Sequence, residues 1–126
     1  MSKAYISIGS NIKAKKNIAI AKKELNQLFS CTYSDNFYSE AEGFKGQDFI
    51  NLVACFETSF HPVSLTKKLK TLEKKIGREN NQKGMQDRVI DMDLILFGDL
   101  IIQEQGIVLP SSDIEDYIFV LEPLAQ

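Results

Sequence analysis

Apolar residues recur along this chain at two distinct periods, and the changes of period divide it into elements. In AYISIGSN, Tyr5, Ile6 and Ile8 form a short alternating run of aromatic and β-branched residues that breaks at Gly9-Ser10-Asn11, which predicts a strand and a tight turn. Ile18, Ala21, Leu25 and Leu28 then repeat at helical spacing with lysines on the other face, so residues 13 to 29 read as an amphipathic helix. CTYSDNFYS reads as a second strand, and SEAEGFKGQ, with two glycines and mixed charge, as a loop. DFINLVACFET is apolar on both alternating faces, as in a strand covered on both sides, and Asn51 interrupts one of them.

Pro62 suits the first turn of a helix, Leu65, Leu69, Leu72 and Ile76 keep its period, and Gly77 supplies a stop. Lys67, Lys68, Lys70, Lys74 and Lys75 read as the outer face of that helix. RENNQKGMQDR is polar and aperiodic, hence a loop, and RVIDMDLILFG resumes as a strand. LIIQEQGIVLP reads as a further short strand or extended piece, SSDIEDYIFV as a turn or short helix, and VLEPLAQ as a packed tail. The order strand, helix, strand, strand, helix, strand matches an α+β, ferredoxin-like (βαββαβ) plan: an antiparallel sheet with helices on one face, here with a C-terminal extension. That plan carries many unrelated functions, so the chemistry has to come from particular residues.

Composition narrows the field. At 126 residues the chain reads as one domain, residues 1–126, long enough to bury a core without disulfides or a structural metal. Its 44% hydrophobic and 25% charged residues are the balance of a folded soluble protein. No signal-like start and no apolar run near the roughly 18 residues of a membrane span is present, so the expectation is a cytoplasmic protein that does not engage membrane. Cys31, Cys55 and the single histidine, His61, lack metal-ligand spacing, which argues against a zinc site or a Cys-His nucleophile and leaves both cysteines as reduced core or half-core residues. The net charge of −2 conceals an asymmetry: no basic residue follows Arg88, while acids continue to Glu122. A cationic wall facing an anionic floor would suit an anionic ligand carried with a divalent metal; ordinary solvated helix faces would look the same in a charge count. Nucleic-acid binding is disfavoured, because the lysines of the second helix lack interleaved aromatics.

On a strand, Asp91 and Asp93 share a face, about 6.6 Å apart along it. Two carboxylates so close repel unless a cation neutralises them, and Mg²⁺ is a hard ion suited to such oxygens; a strand end with two solvated acids is the alternative. Arg78 and Arg88 bracket the polar loop, where guanidinium forks can clamp phosphate or serve as surface ion pairs. Asn51 can read the edge of a heteroaromatic ring or be a satisfied core amide. Phe49 and Phe119 can stack on a flat ring or fill the core. The Gly9-Ser10-Asn11 turn lacks the spacing of a phosphate loop.

Together these pieces resemble one family closely, the hydroxymethyldihydropterin pyrophosphokinases of folate synthesis. YISIGSN resembles the family's opening Y-x-x-x-G-S-N, DFINLVACFET its F/Y-L-N-x-V strand, LEKKIGR its Gly-Arg-terminated helix, RVIDMDLILFGD its R-x-x-D-x-D signature, and VLP with FVLEPLA its closing segment. The resemblance implies transfer of pyrophosphate from ATP to the pterin's hydroxymethyl group. It implies Asp91 and Asp93 as seats for two Mg²⁺ ions and Asn51 as the pterin's hydrogen-bonding partner between Phe49 and Phe119. It also implies Glu73, Arg78 and Arg88 along the nucleotide, residues 79 to 88 as a lid, and a monomer. Some positions depart from the family pattern: Asn80 replaces a usual basic residue, Met85 a usual tryptophan, Ser111 a usual histidine and Tyr117 a usual arginine. Each lost charge-assisted phosphate bond would cost ~1.5 to 3 kcal/mol, which predicts weaker nucleotide binding. A relative that binds pterin or nucleotide without efficient transfer is the second reading.

Overall fold

A computed structural model of the chain describes residues 1–39, 49–77, 90–104, 107–111 and 114. Its elements are β1 (Ser2–Ser10), α1 (Ala14–Leu28), β2 (Thr32–Tyr33), β3 (Phe37–Ser39), β4 (Phe49–Thr58), α2 (Pro62–Ile76), β5 (Asp91–Phe97), β6 (Ile102–Glu104) and β7 (Ile107–Leu109). The main sheet runs β2-β4-β1-β5, with β3 also on β4 beyond β2, and every pairing in it is antiparallel. With β2 and β3 taken as one interrupted strand, this is the ferredoxin-like order: the first and third strands central, the second and fourth at the edges.

The interruption is the one departure from the expected second strand. Ser34 still pairs with Val53, its N–H donating to the Val53 carbonyl at 2.8 Å and its Oγ accepting the Val53 N–H at 2.9 Å. Phe37 then stands opposite Asn51, so Asp35 and Asn36 both fall against Leu52. Two residues against one is a bulge, which bends the edge strand.

Alternation along the strands builds two apolar layers. Ile6, Ile8, Leu52, Ala54, Phe56 and Met92 meet Ile18, Ala21 and Leu25 of α1 and Leu65, Leu69 and Leu72 of α2, all buried. Each of the isoleucine, leucine, phenylalanine and methionine side chains contributes about 1.5–3 kcal/mol of burial. On the opposite face Tyr5, Val53, Cys55 and Ile95 form a smaller cluster against which Ile114 packs. Cys55 is buried and Cys31 half-buried, both free thiols, as their spacing predicts. Burial raises the pKa of each.

α2 begins and ends as its residues dictate. His61 Nδ1 accepts the Val63 N–H at 3.1 Å as a cap, Pro62 occupies the first turn, and Gly77 closes the helix at φ 126°, where a side chain would be strained. β6 and β7 pair as a small separate hairpin. The tail beyond Ile114 lies outside the described residues.

Candidate active site

The register of the sheet assembles the site. Asn51 on β4 and Asp91 on β5 are both paired with Gly9 on β1, and Phe37 on β3 is paired with Asn51. Directly opposed residues of an antiparallel pair project to the same side, so Phe37, Asn51, Gly9 and Asp91 form one row across four strands. The face they occupy is the one away from the helices, since Ile8 and Met92, their neighbours in sequence, belong to the helix-side core. At about 4.8 Å per strand, Asn51 and Asp91 stand about 10 Å apart with Gly9 between them. One step along, Ser7 pairs with Val53 and with Asp93, which places the second carboxylate on the same side.

Gly9 forms the floor of the row for a steric reason. A Cβ there would lie 2.8 Å from Asn51 Oδ1, closer than non-bonded atoms approach, so the Asn51 amide lies across the glycine where any side chain would stand. Phe49 is two residues from Asn51 on β4 and shares its face, and Phe37 stands beside both on β3. An amide thus has two half-buried phenylalanines on one side and two carboxylates on the other. Phe37 and Gly9 were not singled out by sequence. An aromatic inside a short polar strand carries no periodic signal, and a glycine before Ser-Asn reads as a turn.

The carboxylates lie on the edge strand of the main sheet, and α2 covers that edge with two charged side chains. Glu73 is 2% exposed, and its Oε2 accepts the Met92 N–H at 2.7 Å. Lys70 Nζ donates to Glu73 Oε2 at 3.1 Å, to Asp93 Oδ1 at 2.9 Å and to the Met92 carbonyl at 3.4 Å. The outward-facing N–H and C=O of Met92, which an edge strand would leave open for pairing with another chain, are therefore both engaged by α2. Lys70 does not belong with the outer lysines, where helical spacing assigned it: it reaches round the strand to Asp93 on the far face, because Glu73, one turn on, ties that side of α2 to β5. Burial disfavours the Lys70 ammonium, but Asp93 and Glu73 more than offset this, so its pKa lies above the ordinary lysine value.

Asp91 is half-buried and the Asp93 side chain 56% exposed. This pair fits a hard divalent ion that keeps several water or phosphate ligands, since it offers carboxylate oxygens on an open face. Among the described residues no three His, Cys, Asp or Glu converge. Ser111 follows β7 and donates its N–H to the Ile95 carbonyl at 2.9 Å. Arg78, Arg88 and Phe119, the segment 79 to 88 with Asn80 and Met85, and Tyr117 lie outside the described residues.

A sequence profile of the 7,8-dihydro-6-hydroxymethylpterin-pyrophosphokinase family matches residues 5–126. The chain belongs to this family. Among similar proteins, the 2-amino-4-hydroxy-6-hydroxymethyldihydropteridine pyrophosphokinase of Haemophilus influenzae is 33% identical over 129 aligned positions, covering 98% of this chain and 80% of that protein. The protein of the same name from Aquifex aeolicus is 30% identical over 129 positions, with 100% and 80% covered. A folic acid synthesis protein of Pneumocystis carinii is 34% identical over 125 positions that make up 95% of this chain but 17% of the longer protein. Membership in the pyrophosphokinase family agrees with the α+β architecture and with the motif order read from the sequence. Among the described residues no helix is long and apolar enough to cross a membrane.

Proposed function

We propose that this chain, acting as a single domain over residues 1–126, transfers the pyrophosphate of ATP to the hydroxymethyl group of 6-hydroxymethyl-7,8-dihydropterin, in folate biosynthesis. The hydroxymethyl oxygen attacks the β-phosphorus, the bond from that phosphorus to the α,β-bridging oxygen breaks, AMP leaves, and the hydroxyl proton is lost to solvent. The single observation that carries this reading is the row Asn51–Gly9–Asp91, which sets an amide and a carboxylate on one side of the sheet with only a glycine between them.

Asn51 hydrogen-bonds the pterin edge, and Phe49, with Phe119 from the closing segment, flanks the ring. Asp91 and Asp93 hold Mg²⁺, two ions in the full complex, whose chemistry is to neutralise phosphate charge and align attacking and leaving oxygens. Holding both substrates in line is the larger part of such catalysis, and it depends on the rigidity of the paired strands beneath them. Arg78 and Arg88 pair with the phosphates, and Glu73 supports the nucleotide side by holding the Met92 backbone between the two aspartates. We assign the enzyme to the cytoplasm as a monomer, with ATP and the pterin as its partners and no nucleic acid or membrane.

The test is AMP release from ATP and Mg²⁺ with and without pterin. The expected result is pterin-dependent AMP that Asp91→Asn abolishes. No AMP above background at millimolar ATP would refute the proposal.

A further inference from the structure

Lys70 carries a second assignment, which rests on the reading of Asp91 and Asp93 as the metal seat. Its ammonium has three donors, and three acceptors surround it: Asp93 Oδ1 at 2.9 Å, Glu73 Oε2 at 3.1 Å and the Met92 carbonyl at 3.4 Å. These acceptors are unequal. Glu73 is buried and tied to the Met92 N–H, so it is a fixed anchor. The Asp93 side chain is more than half exposed, so it is the partner that can be exchanged.

The same carboxylate cannot serve an ammonium and a divalent ion at full strength, because the two cations would be held a few ångströms apart and repel. We propose that Lys70 is the resident counter-cation of the metal seat: it neutralises Asp93 until a divalent ion arrives, then, still anchored on Glu73, turns the released donor to a phosphate oxygen of the polyphosphate that the ion carries. The side chain is 43% exposed and reaches from α2 over the edge of the strand that bears both aspartates, which leaves its Nζ room to make that exchange. The assignment also supplies a cation on the nucleotide side of a chain that has Asn80 and Tyr117 at positions where the family usually has basic residues.

Removing the charge should move two affinities in opposite directions, which a lysine of purely structural role would not do. With Lys70→Met, Mn²⁺ alone, titrated by its paramagnetic resonance signal, should bind about tenfold tighter, because a repelling charge is gone. An α,β-methylene ATP analogue, titrated calorimetrically at saturating Mg²⁺, should bind about tenfold weaker or more, the loss of one charge-assisted phosphate bond. Lys70→Gln, which retains a donor for Glu73, should show both changes with the same signs and guards against an effect of altered folding. Unchanged or weaker Mn²⁺ binding in both variants, or unchanged analogue binding, would overturn the assignment. A wild-type chain that binds Mn²⁺ but no analogue would instead overturn the pyrophosphokinase reading, so the two failures are separable.

Discussion

Gly9→Ala isolates the pterin half of the site. The added methyl carbon would meet Asn51 Oδ1 at 2.8 Å, while its other neighbours, Asn51 Cγ at 3.8 Å and the Ile50 carbonyl at 3.9 Å, are at ordinary contact distance. The overlap, about 0.6 Å inside a normal approach of about 3.4 Å, therefore falls on the end of one rotatable side chain and on no backbone atom. Among the described residues the glycines with positive φ are Gly77 and Gly98, not Gly9, so alanine meets no backbone strain there. Stability should change by less than about 1 kcal/mol, with the lower unfolded-chain entropy of alanine acting in its favour. The Asn51 amide must rotate off the floor. If two neutral hydrogen bonds to the ring are lost, at about 0.5–1.5 kcal/mol each, pterin affinity falls by about 5- to 150-fold. Calorimetric titration of pterin and of an ATP analogue, beside a thermal melt, reads all three quantities. We expect weaker pterin binding, nucleotide affinity within about twofold and a melting temperature within about 5 °C of wild type. In the double variant with Asn51→Ala, Gly9→Ala should add nothing further, because both changes act through one amide. Undiminished pterin binding by Gly9→Ala would refute the role of the glycine, and full additivity in the double variant would refute the route through Asn51.

Glu73→Leu should lower stability by about 1–3 kcal/mol, because it strips the Met92 N–H and the Lys70 ammonium of a buried acceptor; a melt, with amide exchange at Met92, checks it. Leu65→Ala should cost about 2–5 kcal/mol by opening a cavity under α2, read as a shifted denaturant midpoint. The raised Lys70 pKa makes its ion-pair contribution fully present below the unfolded lysine value of about 10.4 and lost only as pH rises through the higher folded value. The difference in melting temperature between wild type and Lys70→Met should therefore stay constant from about pH 6 to 9 and shrink in more alkaline solution. A difference that vanished near neutral pH would contradict the ion-pair geometry.

Much of the fold was legible because its signals are local. The period of Leu65, Leu69, Leu72 and Ile76 is itself the buried stripe of α2, and Pro62 and Gly77 mark its ends through backbone constraints that need no partner. The bulge at Asp35 and Asn36 was not legible, since it depends on which residues of β4 happen to face them. The aspartate pair was legible as a pair because strand geometry alone places residues two apart on one face. Its cation was not: in the sequence Lys70 is one of five lysines on a helix, and only the packing of α2 against the β5 edge distinguishes it from Lys67, Lys68, Lys74 and Lys75.

The sequence alone determined the elements, the family and the chemical character of each candidate group, because periodicity, turn residues and motif spacing act over a few residues of chain. Tertiary structure decided which groups meet. Asn51, Gly9 and Asp91 are separated by dozens of residues, and no local rule relates them; the antiparallel register of β4, β1 and β5 puts them in one row. Likewise the crossing of α2 over the sheet edge joins Lys70 to Asp93, 23 residues along the chain. Register and helix placement are set by burial of the whole core at once, and so the site they create belongs to no single segment.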